Sequence, residues 1–336
     1  MTPTLQIGVN IDGVLHRDDM PPVDAESRFR MIADAGVFDY VEMNPPEGVA
    51  LAPYLGLSER YALPVRVIGG IFCAGGDEAH LRHIIEWAPR FGSKVLNCQL
   101  YASHADGHRL TDAEVAQFYV LACEWADAAG CIPSLEVHVD MWSEDFGRIA
   151  RVGELLARDG IALRLTLDHS HLIFKIGNAY ELDVSNIRPL VEAGEIVLDP
   201  ISPRAIFKQW IARGWVHHAH ARSVIPNNPP NSRMRRPNGM AGRGIQYPFL
   251  RPAPDQWDGN WEEAALTPWQ DAVRHLINAR AQGHAATPQH ISCEFIPFAD
   301  YGGGTGYSIF DNNVACAAWL RNLWLEQTTG QHSMAA

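Results

Sequence analysis

Eight short apolar runs alternate with amphipathic stretches along the chain, and this alternation limits the fold more than any other feature. The runs are LQIGVNI (5–11), YVEMN (40–44), PVRVIGGIF (64–72), KVLNCQLY (94–101), PSLEVHVD (133–140), LRLTLDHS (163–170), WVHHAHAR (215–222) and HISCEFIP (290–297). Helical stretches are read at 25–36, 51–61, 77–91, 112–130, 144–160, 185–194, 267–283 and 309–324. Several carry boundary signals: Thr111 and Glu114 have capping-box spacing, and Gly130, Gly160 and Gly283 follow helical runs. Eight β/α units in 336 residues fit one (β/α)8 TIM barrel, 1–336, with a long insertion after strand 7. An open doubly wound sheet is the rival, but no GxGxxG follows the first run. The insertion, 223–265, is rich in Pro, Asn, Gly and Arg and includes Trp257 and Trp261. It is expected to be a lid or partner-binding loop that governs substrate or partner choice, not folding.

Side chains alternate across a strand, and in five runs the polar ones share a face. Those faces hold Asn10 and Asp12, then Glu42 and Asn44, then Asn97 and Gln99, then Glu136, His138 and Asp140, then His218, His220 and Arg222. Four residues sit near strand ends: Glu136, Asp168, His220 and Glu294. Buried carboxylates need a positive partner. Three of them with one imidazole form a hard donor set for a divalent cation, Mn2+ first, with Mg2+, Co2+ or Zn2+ as alternatives. The competing reading is a set of interstrand salt bridges to Arg164, Arg222 or Lys175. His171 and His138 are candidates for substrate contact, proton transfer or orientation of a ligand, whereas His169 and His217 read as structural. Arg222, Glu42, Asn97, Gln99 and Trp142 join His138 as candidate substrate contacts.

Composition removes some function classes. A formal net charge of −12 is a poor match for a phosphate backbone, so nucleic-acid binding is not expected. No apolar run reaches the roughly 20 residues of a membrane span, and no secretory leader is read at the start. Six dispersed cysteines with no CxxC pair suggest buried thiols in a reducing, cytoplasmic setting.

With those residues in place, the chain resembles the xylose-isomerase-like TIM-barrel superfamily of sugar phosphate isomerases and epimerases. Glu136 on the fifth strand, LDHSH with Asp168 and His171 on the sixth, HAHARS with His220 and Arg222 on the seventh, and CEF with Glu294 on the last carry the likeness. Ser223 stands where the family usually has Asp, and the following loop is longer than usual. The resemblance implies one divalent metal on Glu136, Asp168, His220 and Glu294. It also implies Glu136 and Glu294 as an acid/base pair that moves a proton next to a carbonyl through a metal-stabilised enediolate, with His171 steadying the substrate oxygen. The expected substrate is a small carbohydrate. The superfamily also contains lyases, such as the catalytic subunit of bacterial C-glycoside deglycosidases, which act on 3-oxo-glycosides with a smaller partner subunit. It further contains endonuclease-IV-like nucleases, but those need histidines on strands three and four that VRVIGGIF and KVLNCQLY lack. A homo-oligomer or a smaller partner subunit is left open.

Overall fold

The computed structural model describes residues 3–17, 20–284 and 287–334. Eight parallel strands close into a barrel: β1 (Gln6–Asn10), β2 (Tyr40–Met43), β3 (Val65–Phe72), β4 (Val95–Leu100), β5 (Ile132–Val137), β6 (Leu165–Asp168), β7 (Val216–Ala221) and, after the insertion, β10 (His290–Cys293). β10 pairs with both β1 and β7, which completes the ring. The (β/α)8 expectation holds.

The apolar side of each strand faces the helices. Val9, Leu96, Cys98, Leu135, Val137 and Leu167 are buried in one continuous core with helix residues such as Ile84, Phe118, Ile149 and Leu276. Inside the barrel, a small separate cluster of Tyr40, Val67 and Val95 fills the lower end. Gly8 makes room for it, since a Cβ there would lie 2.2 Å from the Tyr40 ring. The Tyr40 hydroxyl meets Ser292 Oγ at 2.9 Å. Above this plug the inward layers turn polar.

Thr111 and Glu114 form the expected capping box on the helix Asp112–Asp127. The sixth unit differs from its sequence reading. Where one helix is expected at 185–194, short helices run Ser170–Ile173, Ala179–Val184 and Arg188–Glu192. The helix Ile206–Ala212 then covers the barrel with Phe207, Trp210 and Ile211. Its seven residues are too few for a clear 3.6-residue period, which hides it in the sequence.

The insertion is ordered and anchored. It forms a hairpin of β8 (Asn231–Arg235) and β9 (Ala241–Gly242) over the mouth of the barrel. Val224, Ile245 and Tyr247 are fully buried. Gly242 approaches the backbone so closely that a Cβ would sit 1.7 Å from the Ala299 carbonyl oxygen. Asn231 Nδ2 donates to the carbonyls of Ala299, Tyr301 and Gly303 at 2.7–3.1 Å. Arg243 is buried against Glu144 and Glu181 and lies 3.3 Å from Asp140; Lys175 Nζ is 3.1 Å from Glu144. Arg236 pairs with Asp140. The insertion thus contributes core side chains, Val224, Ile245 and Tyr247, and takes part through Arg243 in an ion network with the connections after β5 and β6. Among the described residues, no helix is long and apolar enough to cross a membrane. All six cysteines are free.

Candidate active site

Parallel pairing brings the site residues level with one another. Asp168 pairs in register with His220, and His220 with Ser292, so Glu294 lies just above that row. Asn10 is level with Glu42, and Ile71 with Gln99. The result is a cluster of buried ionisable groups at the C-terminal end of the barrel, the end where barrels of this kind place their chemistry.

His220 is the hub. Its Nδ1 lies 3.2 Å from Glu136 Oε1 and 3.0 Å from Glu294 Oε2, while Nε2 lies 2.9 Å from Glu42 Oε1. Burial alone would push the imidazole down, but the charges of Glu294, Glu42 and Glu136 hold it well above its usual value. Each glutamate on the Nδ1 side has its other oxygen fixed by amides. Glu136 Oε2 accepts from Asn97 Nδ2 and Gln99 Nε2, both at 2.8 Å, and Glu294 Oε1 accepts from Asn10 Nδ2 at 2.9 Å. Burial opposes ionisation of Glu136, but the His220 charge and hydrogen bond, the nearby His138 and the Asn97 amide together outweigh it and hold the carboxyl at about 2. Glu294 is also lowered, by His220 and Arg222 against burial.

Ligand atoms of Glu136, His220 and Glu294 all lie within 4.8 Å of one another. Asp168 stands beside them but is turned to Arg222, whose Nη2 contacts Oδ2 and whose Nη1 reaches Glu294 Oε2 at 3.1 Å. The interstrand salt bridge weighed in the sequence thus exists for Asp168 and Glu294 with Arg222. It does not balance the cluster. Glu42, Glu136, Asp168 and Glu294 carry four negative charges when ionised, against one from Arg222 and at most one from His220.

The His171 ring lies against His138, centroids 4.1 Å apart and planes tilted by 49°. Its Nε2 accepts from Arg222 Nη2 at 3.1 Å, and Nδ1 has no protein partner. Burial, with His138 and Arg222 nearby, holds it well below the usual imidazole range, so it is neutral. His138 Nδ1 donates to the Val139 carbonyl at 2.5 Å, and its Nε2 is 2.7 Å from the Tyr301 hydroxyl.

A cavity of 690 Å³ opens above the cluster. Asn10, Gln99, His138 and Glu294 line its floor, and Tyr301 its side. Four expected substrate contacts do not line the cavity: Arg222, Asn97, Trp142 and Glu42. Trp142 is buried in the hydrophobic core, on a short 3-10 turn, because its indole follows the apolar face that continues from β5. Glu42 is fully buried behind His220 and does not line the cavity, since it sits within β2, one pleat too deep. His169 packs edge-on to Phe207, in line with a structural role.

Tyr301 escaped the sequence reading. It lies in YGGGTGY after the last strand, and the Arg222 guanidinium sits 4.1 Å over its ring. Two tyrosines flanking a glycine-rich run were the available signal: such a loop can fold a ring back over the mouth.

No protein-family model matches the chain, and no curated protein matches it in sequence. Solved structures match it in shape. A xylose isomerase-like TIM barrel protein from Mycobacterium smegmatis in complex with magnesium is 14% identical, with 97% of this chain and 98% of that one covered at a TM-score of 0.55. D-allulose 3-epimerase from Methylomonas sp. in complex with D-allulose is 14% identical, with 97% and 98% covered at 0.53. An L-ribulose 3-epimerase is 16% identical, with 99% of each chain covered at 0.53. The likeness is one of fold: these structures share the closed (β/α)8 barrel over nearly the whole chain.

Proposed function

We propose that the chain is a divalent-metal-dependent carbohydrate isomerase or epimerase that moves a proton next to a carbonyl. The observation that carries this reading is the meeting of Glu136, His220 and Glu294 at the base of a deep cavity, with carboxylates in excess of cations. A cation fits the donor set. Both carboxylates face His220 Nδ1, and removal of the Nδ1 proton leaves three converging lone-pair donors while Nε2–H stays with Glu42. Glu136, His220 and Glu294 would hold it, with Asp168 as fourth ligand once its carboxylate exchanges Arg222 for the ion. Bound there, a divalent cation would polarise a substrate carbonyl and offset charge developing on its oxygen. Two neighbours in fold are complexes with magnesium and with D-allulose, which supports a metal and a sugar.

The chain's own groups then divide the work. Glu294 lines the cavity and Glu136 lies beneath it, so Glu294 is the carboxylate a substrate meets first. Together they form the acid/base pair. Each keeps one oxygen anchored by amides, which fixes the direction of the other. His171, neutral and with Nδ1–H free, would donate to the substrate oxygen as charge grows there. Arg222 orients His171 and Glu294, and Asn97 acts through Glu136. Gln99 and His138, on the floor, would bind substrate hydroxyls. Glu42 is reassigned from substrate contact to positioning residue: it orients His220 through Nε2.

A lyase that cleaves an oxidised 3-oxo-glycoside would begin with the same proton abstraction, and the size of the cavity favours it as second reading. Mn2+-loaded protein, incubated in D2O with a panel of ketoses and 3-oxo-glycosides, separates the two. Deuterium in a product otherwise of unchanged mass marks the isomerase, and released aglycone marks the lyase. Neither event with any member would refute the proposal.

A further inference from the structure

We propose that the outer half of the cavity binds a large apolar substituent carried by the substrate. The preferred substrate would then be a substituted sugar, an aryl glycoside being the simplest chemistry, and not a free ketose. This rests on the carbohydrate reading above and adds a second binding site to it.

The cavity is divided by polarity. Groups able to hydrogen-bond a sugar and close to the reacting carboxylates lie at its floor: Asn10, Gln99, His138 and Glu294. The apolar part of its wall is Pro46, Ile71, Met141, Pro237, Ile296 and Phe298, with the polar Asp12, Asn44, Glu47 and His80 also lining the cavity. The apolar residues come from five separate segments: the loop after β2, β3 itself, the loop after β5, the hairpin of the insertion and the loop after β10. Two of them leave much apolar surface in water, Ile71 at 46% and Phe298 at 51% exposure. Ile71 is the telling one. It is in register with Gln99, so the apolar wall begins at the level of the polar floor and continues upward from it. Two residues earlier, Gly69 lies so close to β4 that a Cβ would be 2.1 Å from the Asn97 carbonyl oxygen. β3 thus offers the cavity no polar side chain at its inward positions 69 and 71.

Of the acidic groups that line the cavity besides Glu294, Asp12 lies 3.7 Å from Arg28, Glu47 is exposed, and the other two are engaged by backbone amides. Asp77 accepts from the Cys73 N–H and Asp300 from the Arg243 N–H, each at 2.7 Å. Arg236, also at the rim, is paired with Asp140. A free sugar carries hydroxyls on every side, and those facing Ile71, Met141, Ile296 and Phe298 would lose water without gaining partners. An aromatic or aliphatic group would cover the same surface favourably. The volume agrees: 690 Å³ falls within the range of about 300–1,000 Å³ found for pockets that enclose drug-sized ligands.

The test is calorimetric binding to Mn2+-loaded protein of three probes: methyl 3-oxo-β-D-glucoside, phenyl 3-oxo-β-D-glucoside and D-allulose. The phenyl compound should bind at least 10-fold tighter than the methyl one. In Ile71→Asp and Phe298→Asp that ratio should fall toward one while the methyl affinity is unchanged. Because these side chains are half exposed, folding should survive, and circular dichroism with Ile71→Gln and Phe298→Ser provides the check. A phenyl-to-methyl ratio near one in the parent, or a ratio the variants do not move, overturns the inference. D-Allulose binding with neither glucoside binding also overturns it while leaving the proposed function intact; no binding of any probe counts against both. Sedimentation of the same samples covers the remaining case. If the variants dissociate a dimer but keep the ratio, the apolar rim is a contact between copies, and the inference fails.

Discussion

Two buried clusters of charge lie within one barrel, and they are built differently. At the rim, Glu144, Glu181, Asp140 and Asp300 face Arg243, Lys175 and Arg236, four against three. On the floor, four carboxylates face Arg222 and one imidazole. The first is closed on itself: burial and Arg243 lower the Lys175 ammonium to about 8 against the pull of Glu144, and Lys175 and Arg243 hold Glu144 at about 2 against burial. Such a network fixes the insertion over the mouth. The second has four carboxylates against two basic side chains, with burial pushing Glu42 and Asp168 up toward protonation, and a ring nitrogen aimed between two carboxylates. A nearly balanced, multiply bridged network holds structure in place, whereas a buried cluster with twice as many carboxylates as cations calls for a ligand.

The largest expected effect is on the floor. Glu294→Gln should keep the fold and lower turnover at least 100-fold, the usual scale for a lost acid/base group, in the deuterium-exchange assay. Activity within 10-fold of the parent would remove Glu294 from proton transfer. At the rim, Arg243→Met should leave Glu144 and Glu181 under-neutralised and cost about 3–5 kcal/mol in denaturant unfolding. The same variant should still bind the metal; loss of metal there would mean that the two clusters are one.

Between these lies Glu42. Glu42→Gln should lower metal affinity by about 10–100-fold without moving the substrate affinity of the loaded enzyme, as expected of a group that orients a ligand. An altered Co2+ absorption spectrum would accompany it, and an unchanged affinity would return Glu42 to a purely structural role.

The smallest effect is on stability against pH. Burial holds His169 down at about 3, whereas the unfolded ring titrates near 6.5. Between these values the unfolded chain binds more protons, so stability is present above pH 6.5 and is lost as pH falls toward 3. The slope is up to about 1.4 kcal/mol per pH unit. His169→Gln, if it folds, should flatten urea unfolding between pH 6.5 and 4.5; an unchanged slope would show that other groups govern it.

The barrel was legible because its signals are local and repeated. Strand alternation placed Glu136, Asp168, His220 and Glu294 at one end of the molecule without any knowledge of contacts. What alternation cannot give is depth. Glu42 and Asn44 share a face, yet only Asn44 lines the cavity. Nor can it reveal how a loop returns: Trp142 follows a polar strand end but folds into the core, while Tyr301, far along the chain, covers Arg222. The ordered state of 223–265 was hidden for the same reason. Its polar composition reads as a loop, but Arg243 and Asn231 find their partners on β5, β6 and β10 connections distant in sequence.

The central claim is that the floor cluster holds one divalent cation and the rim cluster none. Equilibrium dialysis against Mn2+ followed by elemental analysis tests it directly on three proteins. One ion per chain is expected in the parent and in Arg243→Met, and none in the double variant His220→Ala, Glu294→Gln. An empty parent, or a double variant that still holds one ion per chain, would contradict it.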